Sequence, residues 1–194
     1  MPRLFAGIEL PDAIKDQLSD LARPLHGAKW VDDDDLHLTL RFAGDISGLV
    51  EREFVDFLGE IAADAFELRL DGLGTFGGNE PRAIWAGVAP SPPLETLARA
   101  CDRAARNAGL PPDTRPFKAH VTLARLRGTT PSEVAAYLER IGAFRTEAFP
   151  VERFVLFSSR PKVGGGPYVV EAAFPLRGSY GDMADDDEAT DLWK

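Results

Sequence analysis

The chain has 194 residues and a net charge of −9, with 44% hydrophobic and 27% charged residues, the balance of a soluble globular protein. Six acids and one lysine fall in "DMADDDEATDLWK" (182–194), which leaves −4 for residues 1–181: a broad basic groove is excluded, a local basic site is not. No apolar run nears the roughly 20 residues of a membrane span, and the single Cys101 excludes an intramolecular disulfide, as suits a reducing cytoplasm.

In chain order, "LFAGIEL" (4–10) reads as a strand; the run breaks at Glu9 and Pro11, so it is no signal peptide. An amphipathic helix follows to about residue 25. His26, in "PLHGAKW", falls in a helix-ending turn before Gly27, and Asp32–Asp35 form a solvated loop before the next strand. That strand, "DLHLTLRFAGD" (35–45), alternates so that His37 and Thr39 share one face while Leu38 and Leu40 share the other. A helix over 46–64 and strand character over 66–76 complete a first unit. The segment "RAIWAGV" (82–88) is a strand that closes the first unit and starts the second. A helix then runs through "LETLARACDRAARNAGL" (94–110), where the spacing puts Cys101 on the apolar side.

A second alternating strand, "AHVTLARLRG" (119–128), carries His120 and Thr122, and "TPSEVAAYLERIGA" (130–143) opens with strong helix-start signals. Strands at 153–160 and 168–176 flank the glycines at 164–166 as a hairpin. The tail from 179 to 194 is too acidic and too poor in apolar residues to pack, and reads as disordered.

The chain therefore repeats itself. Residues 4–25 resemble 84–105, and the two His-x-Thr-Leu motifs lie 83 positions apart in a chain with only three histidines. The order is β-α-β-α-β-β, twice. It predicts an α+β fold over 1–178, one bilobal domain with repeats at about 2–80 and 81–178. Two pseudo-symmetric lobes with antiparallel sheets surround a central cleft, helices lie outside, and each lobe brings one His-x-Thr pair to the cleft.

Two histidines across one scissile bond can act as general acid and general base near neutral pH. A threonine two residues on points the same way and can donate its hydroxyl to a charged phosphoryl oxygen. Neither motif has an H-E-x-x-H or C-x-x-C companion, so no metal and no cofactor is expected. Strand parity also sends Arg41 to the cleft and sends Arg125 to the opposite face, unless the strand bulges or ends before it.

The paired motifs, the opening "RLFAGIELP", the segments "HLTLRFAGD" and "HVTLARLRG" and the middle "RAIWAGV" together resemble the 2H phosphoesterase superfamily. Within it they are most similar to bacterial and archaeal RNA 2′,3′-cyclic phosphodiesterases, also called 2′-5′ RNA ligases, over residues 2 to 177 or so. The resemblance implies metal-independent opening of a terminal RNA 2′,3′-cyclic phosphate to a 2′-phosphomonoester. It makes His37 the proton donor to the departing 3′-oxygen and His120 the proton acceptor from water. Symmetry alone leaves those two roles interchangeable.

The resemblance also implies phosphate contacts by Thr39, Thr122 and Arg125; Arg41, by strand parity, and Phe42, the counterpart of Arg125 five residues after His37, are further candidate substrate contacts. The chain departs from the family pattern in the acidic run before the first motif and in Lys118-Ala119, where lysine-proline is expected. The partners implied are RNA ends or small 2′,3′-cyclic nucleotides, met by a monomer that needs no membrane or protein partner. Two alternatives stay open: the reverse reaction, a 2′-5′ ligation of tRNA halves, and an RNA- or nucleotide-binding module without turnover.

Overall fold

A computed structural model of the chain describes residues 3–159 and 168–178. The glycine run and the acidic tail singled out in the sequence lie outside the described residues.

The first half runs β1 (Arg3–Glu9), α1 (Asp12–Ser19), β2 (Ala28–Trp30), a 3-10 turn (Asp33–Asp35), β3 (His37–Asp45), α2 (Gly48–Gly59), β4 (Phe66–Leu68) and β5 (Leu70–Phe76). The second runs β6 (Ala83–Val88), α3 (Pro92–Asn107), β7 (His120–Leu126), α4 (Pro131–Ile141), β8 (Phe149–Val151), β9 (Arg153–Ser159) and β10 (Val169–Pro175). Seven strands pair antiparallel in the order β10-β9-β1-β3-β7-β6-β5, with β2 along β7, while β4 and β8 form a separate ribbon.

The order is a palindrome of the two repeats: β9-β1-β3 on one side of the centre matches β5-β6-β7 on the other. β5 of the first repeat pairs with β6, the first strand of the second, and β9 of the second pairs with β1, the first strand of the first, with β10 added outside β9. Local chain geometry explains the exchange, because the short connection after Phe76 folds β5 straight back on β6 (Phe76↔Ala83). Residues 66–76, read as one strand, divide at Arg69 so that β4 can pair with β8. β2, which alternation over three residues could not reveal, fills the edge of β7 beyond the centre.

The helices form where their apolar stripes demand cover. On α3, Leu94, Leu97, Ala98, Cys101, Ala104 and Ala105 are buried, a helical 3–4 spacing, and Ser91 accepts from the Leu94 N–H at its start. α4 opens with a complete capping box between Thr130 and Glu133 and buries Tyr137, whose hydroxyl donates to the Leu21 carbonyl at 3.0 Å. Residues of both repeats enter one hydrophobic core under the sheet, and Cys101 lies within it. Among the described residues no helix is long and apolar enough to cross a membrane.

Candidate active site

The two halves of the sheet meet at a single residue pair, Leu38↔Val121, between β3 and β7. Both side chains are completely buried on the helix side. Continuing the register one residue each way sets His37 opposite Thr122 and Thr39 opposite His120, all four on the other face. Alternation in two short sequences thus becomes a diagonal square of two imidazoles and two hydroxyls, with cross-strand neighbours about 5 Å apart at Cβ.

The two imidazoles are held alike. The Nδ1–H of His37 donates to the Asp35 carbonyl at 2.6 Å, and that of His120 donates to the Lys118 carbonyl at 2.6 Å. A carbonyl only accepts, so each Nδ1 carries the proton and each neutral ring keeps its lone pair on Nε2. The 3-10 turn is what brings the Asp35 carbonyl into place. The Asp35 carboxylate accepts from the Tyr168 N–H at 3.2 Å, which ties β10 to this end of β3. Asp32–Asp34 stay exposed, while Asp35 is only half-buried. Among the described residues no three carboxylates, histidines or cysteines cluster as metal donors.

Aromatic rings wall each histidine. Phe5, Phe157 and Tyr168 stand around His37, with centroids at 4.7, 5.6 and 4.8 Å. Phe76 and Trp85 stand beside His120 at 4.9 and 6.5 Å. Phe5 and Trp85 occupy the same place in the repeated aromatic-Ala-Gly strand, a signal the sequence did contain. Burial behind these walls lowers the His37 pKa to about 4; the hydrogen bond to Asp35 opposes this, and the positive fields of His120 and Arg125 add to it. His120 is lowered too, first by burial, with the Lys118 charge contributing and the hydrogen bond to its carbonyl opposing. Burial also raises the Asp35 carboxyl above its ordinary value, against the Tyr168 N–H and the Arg125 charge.

Two matched bulges decide what else reaches this face. Between β1 and β3 the register skips Leu40, and between β6 and β7 it skips Leu123, the residue 83 positions later. Each bulge inserts one residue after the His-x-Thr pair and reverses the parity beyond it. Arg41, which alternation sends to the cleft, is therefore turned under the sheet, and this expectation is corrected. It is buried, with its Nε on Asp102 of α3 at 2.9 Å, one terminal nitrogen on its neighbour's carbonyl at 2.6 Å and the other on the Pro111 carbonyl.

Phe42 takes the cleft face instead, 51% exposed and 5.6 Å from Phe5. The same inversion on β7 puts Arg125, exposed, on the face of His120 and Thr122. Its charge reaches both His37 and Asp35.

A sheet-and-helix protein with a duplicated His-x-Thr square at its pseudo-two-fold centre has the layout of a two-histidine phosphoesterase. The chain belongs to the 2′-5′ RNA ligase superfamily, whose family model matches residues 10–162. It is 33% identical over 196 residues to an RNA 2′,3′-cyclic phosphodiesterase of Thermus thermophilus, covering 92% of each chain. It is 35% identical over 187 residues to the enzyme of that name from Geobacillus stearothermophilus, covering 90% of this chain and 57% of that protein's length. Among solved structures, E. coli LigT complexed with 3′-AMP superimposes with a TM-score of 0.76 at 28% identity, covering 91% of this chain and 99% of that one.

Proposed function

We propose that this chain is an RNA 2′,3′-cyclic phosphodiesterase that opens the cyclic phosphate to a 2′-phosphomonoester, with His37 as general acid and His120 as general base. The observation that carries the reading is the square itself: two Nε2 atoms left free by matched Nδ1 hydrogen bonds, each beside a threonine hydroxyl. A phosphate seated on the square would take hydroxyl donors from Thr39 and Thr122 on its non-bridging oxygens, and a guanidinium from Arg125. Much of the catalysis of phosphoryl transfer is positioning and charge stabilisation, which such a cradle supplies.

In the forward reaction His120 Nε2 takes a proton from water as its oxygen bonds to phosphorus, and His37 Nε2 gives a proton to the departing 3′-oxygen. A pKa of about 4 leaves His37 neutral at pH 7 in the free protein. Its acid role therefore rests on the bound phosphate, whose negative charge offsets the burial and the fields of His120 and Arg125. Phe42, beside the first motif, offers its exposed ring to the terminal base.

The relatives' name and the nucleotide seen with LigT point to RNA ends and small cyclic nucleotides as the substrate class. The chain's −9 charge favours a short grip on such an end over long contact along a strand. We place this monomer in the cytoplasm, as its single cysteine suggests. The test is incubation with 2′,3′-cyclic AMP in excess chelator, with products identified by phosphorus NMR. A 2′-phosphate is expected; unchanged substrate across pH 5 to 8 sinks the proposal, and a 3′-phosphate reverses its polarity.

A further inference from the structure

The carbonyl bonds that hold the two imidazoles are equal in length, so they do not decide which ring gives a proton and which takes one. The side chains on the residues supplying those carbonyls do differ. Asp35 and Lys118 lie 83 positions apart, like the histidines they hold, and carry opposite charges. At the first motif the residue brings a half-buried carboxylate tied to the Tyr168 N–H. At the second it brings an exposed ammonium.

That ammonium has a fixed seat. Lys118 Nζ lies 4.2 Å from the centroid of the Trp85 ring and 5.3 Å from that of Phe76, and a cation over an aromatic face is held by the ring's quadrupole. These are the same two rings that stand beside His120. Trp85 is itself backed by Gly74, where a Cβ would take the indole's space. Two acids line the groove that Lys118 and Trp85 share, and both are engaged elsewhere: Asp71 of β5 by Arg145 at 2.8 Å, and Glu95 of α3 by Arg99 at 3.9 Å. Among the described residues neither pairs with Lys118, so its charge reaches the imidazole without a counterion. The other titratable or charged groups on this face are His37 on β3 and Arg125 further along β7.

Arg125 gives this seat its purpose. The guanidinium that would hold the phosphate also pushes a proton off His37, which works against an acid. With one proton between two coupled imidazoles, turnover needs it on His37 with the lone pair of His120 free; the reverse form is idle. A cation beside His120 and not beside His37 offsets the push of Arg125. We propose that Lys118 is a positioning residue whose ring-seated ammonium disfavours the idle form and so selects His120 as the base. The proposal rests on the reading of His37 as acid and His120 as base.

The experiment is an NMR titration of the histidine rings in the full-length protein without substrate, for the unmodified chain, Lys118→Met and Lys118→Arg. Every form keeps the backbone carbonyl that holds His120, and the side chain replaced is exposed, so the fold is not at stake. In Lys118→Met the His120 ring should titrate higher by roughly half a pH unit, the effect of one unit charge screened by water over a side chain's length. Lys118→Arg keeps the charge and stacks on the same rings, and should leave the titration in place. The same change read as a rate should lower kcat/KM for 2′,3′-cyclic AMP at its pH maximum about threefold in Lys118→Met and spare it in Lys118→Arg. A His120 titration unmoved in Lys118→Met overturns the proposal, and a rate loss in that case makes the lysine a phosphate contact instead. Equal movement in both variants overturns it as well, because the charge is then not the cause. The titration needs no turnover, so the two readings fail separately: 2′-AMP formed with His120 unmoved removes the role of Lys118 alone. His120 moved as stated, with no 2′-AMP from the unmodified protein, removes the phosphodiesterase reading and leaves the hold of Lys118 on that ring.

Discussion

The burial of His37 has a measurable cost in acid. The unfolded chain takes up this proton near pH 6.5, whereas the folded protein takes it up only near 4. Between those two values the unfolded state binds more protons, so stability falls as the pH drops and is level above about 6.5 for this group. A pKa lowered from 6.5 to about 4 is worth about 3 kcal/mol across that window. That is a large fraction of a typical domain's stability. The perturbation is His37→Gln, which keeps an amide to meet the Asp35 carbonyl and cannot titrate. Urea unfolding at pH 7 and at pH 4 gives the stability of each form by linear extrapolation. The unmodified protein should lose about 3 kcal/mol more than the variant between the two pH values, the titrations of Asp35 and His120 being common to both. Losses matching within about 0.5 kcal/mol would refute the reasoning, because a neutral buried imidazole is its only source.

Further outcomes rest on the same geometry. With both histidine pKa values lowered by burial, kcat/KM should peak below pH 6.5 and decline toward neutrality; a profile still rising through pH 7 contradicts the assignment. Arg125→Ala should raise KM for the cyclic nucleotide and, by removing a positive field, raise the His37 pKa; an NMR titration unmoved by the change would place the guanidinium elsewhere. Arg41→Met should destabilise the fold by about 2 kcal/mol, since it takes the buried guanidinium's bonds from Asp102, which keeps Arg106 at 3.0 Å, and from the Phe42 and Pro111 carbonyls. Unchanged stability would show that the Arg41–Asp102 pair contributes nothing. Gly74→Ala should cut activity and alter Trp fluorescence, because its Cβ would occupy the space of the Trp85 indole beside His120; wild-type behaviour in both counts against the packing described.

The centre of the site was legible because period-two alternation is a strong code over three residues. His37 with Thr39, and His120 with Thr122, needed only an unbroken strand, and each stretch is unbroken that far. One residue later the code fails. The bulges at Leu40 and Leu123 are backbone events set by the partner strands, and nothing in the leucines' own chemistry announces them. Their effect is to exchange Arg41 for Phe42 and to bring Arg125 round, so a parity argument alone chose the wrong arginine for the cleft. The carbonyls of Asp35 and Lys118 that orient the imidazoles were invisible for another reason, since a backbone oxygen carries no residue type.

Of the fold, the duplicated order of strands and helices could be read from the paired motifs and the repeated aromatic-Ala-Gly strand. β2 was missed because three residues are too few for a periodic signal. The division of 66–76 depends on β8, whose sequence lies more than 70 residues away.

The central claim is that His37 and His120 act as one unit on a single phosphate. The measurement that tests it most directly is kcat for 2′,3′-cyclic AMP hydrolysis by His37→Ala, His120→Ala and the double variant, in chelator. Each single change should lower kcat by roughly 10²–10⁴, and the double variant should be no slower than the slower single one. Losses that multiply, or one single variant that keeps most of its rate, would contradict the two-histidine account.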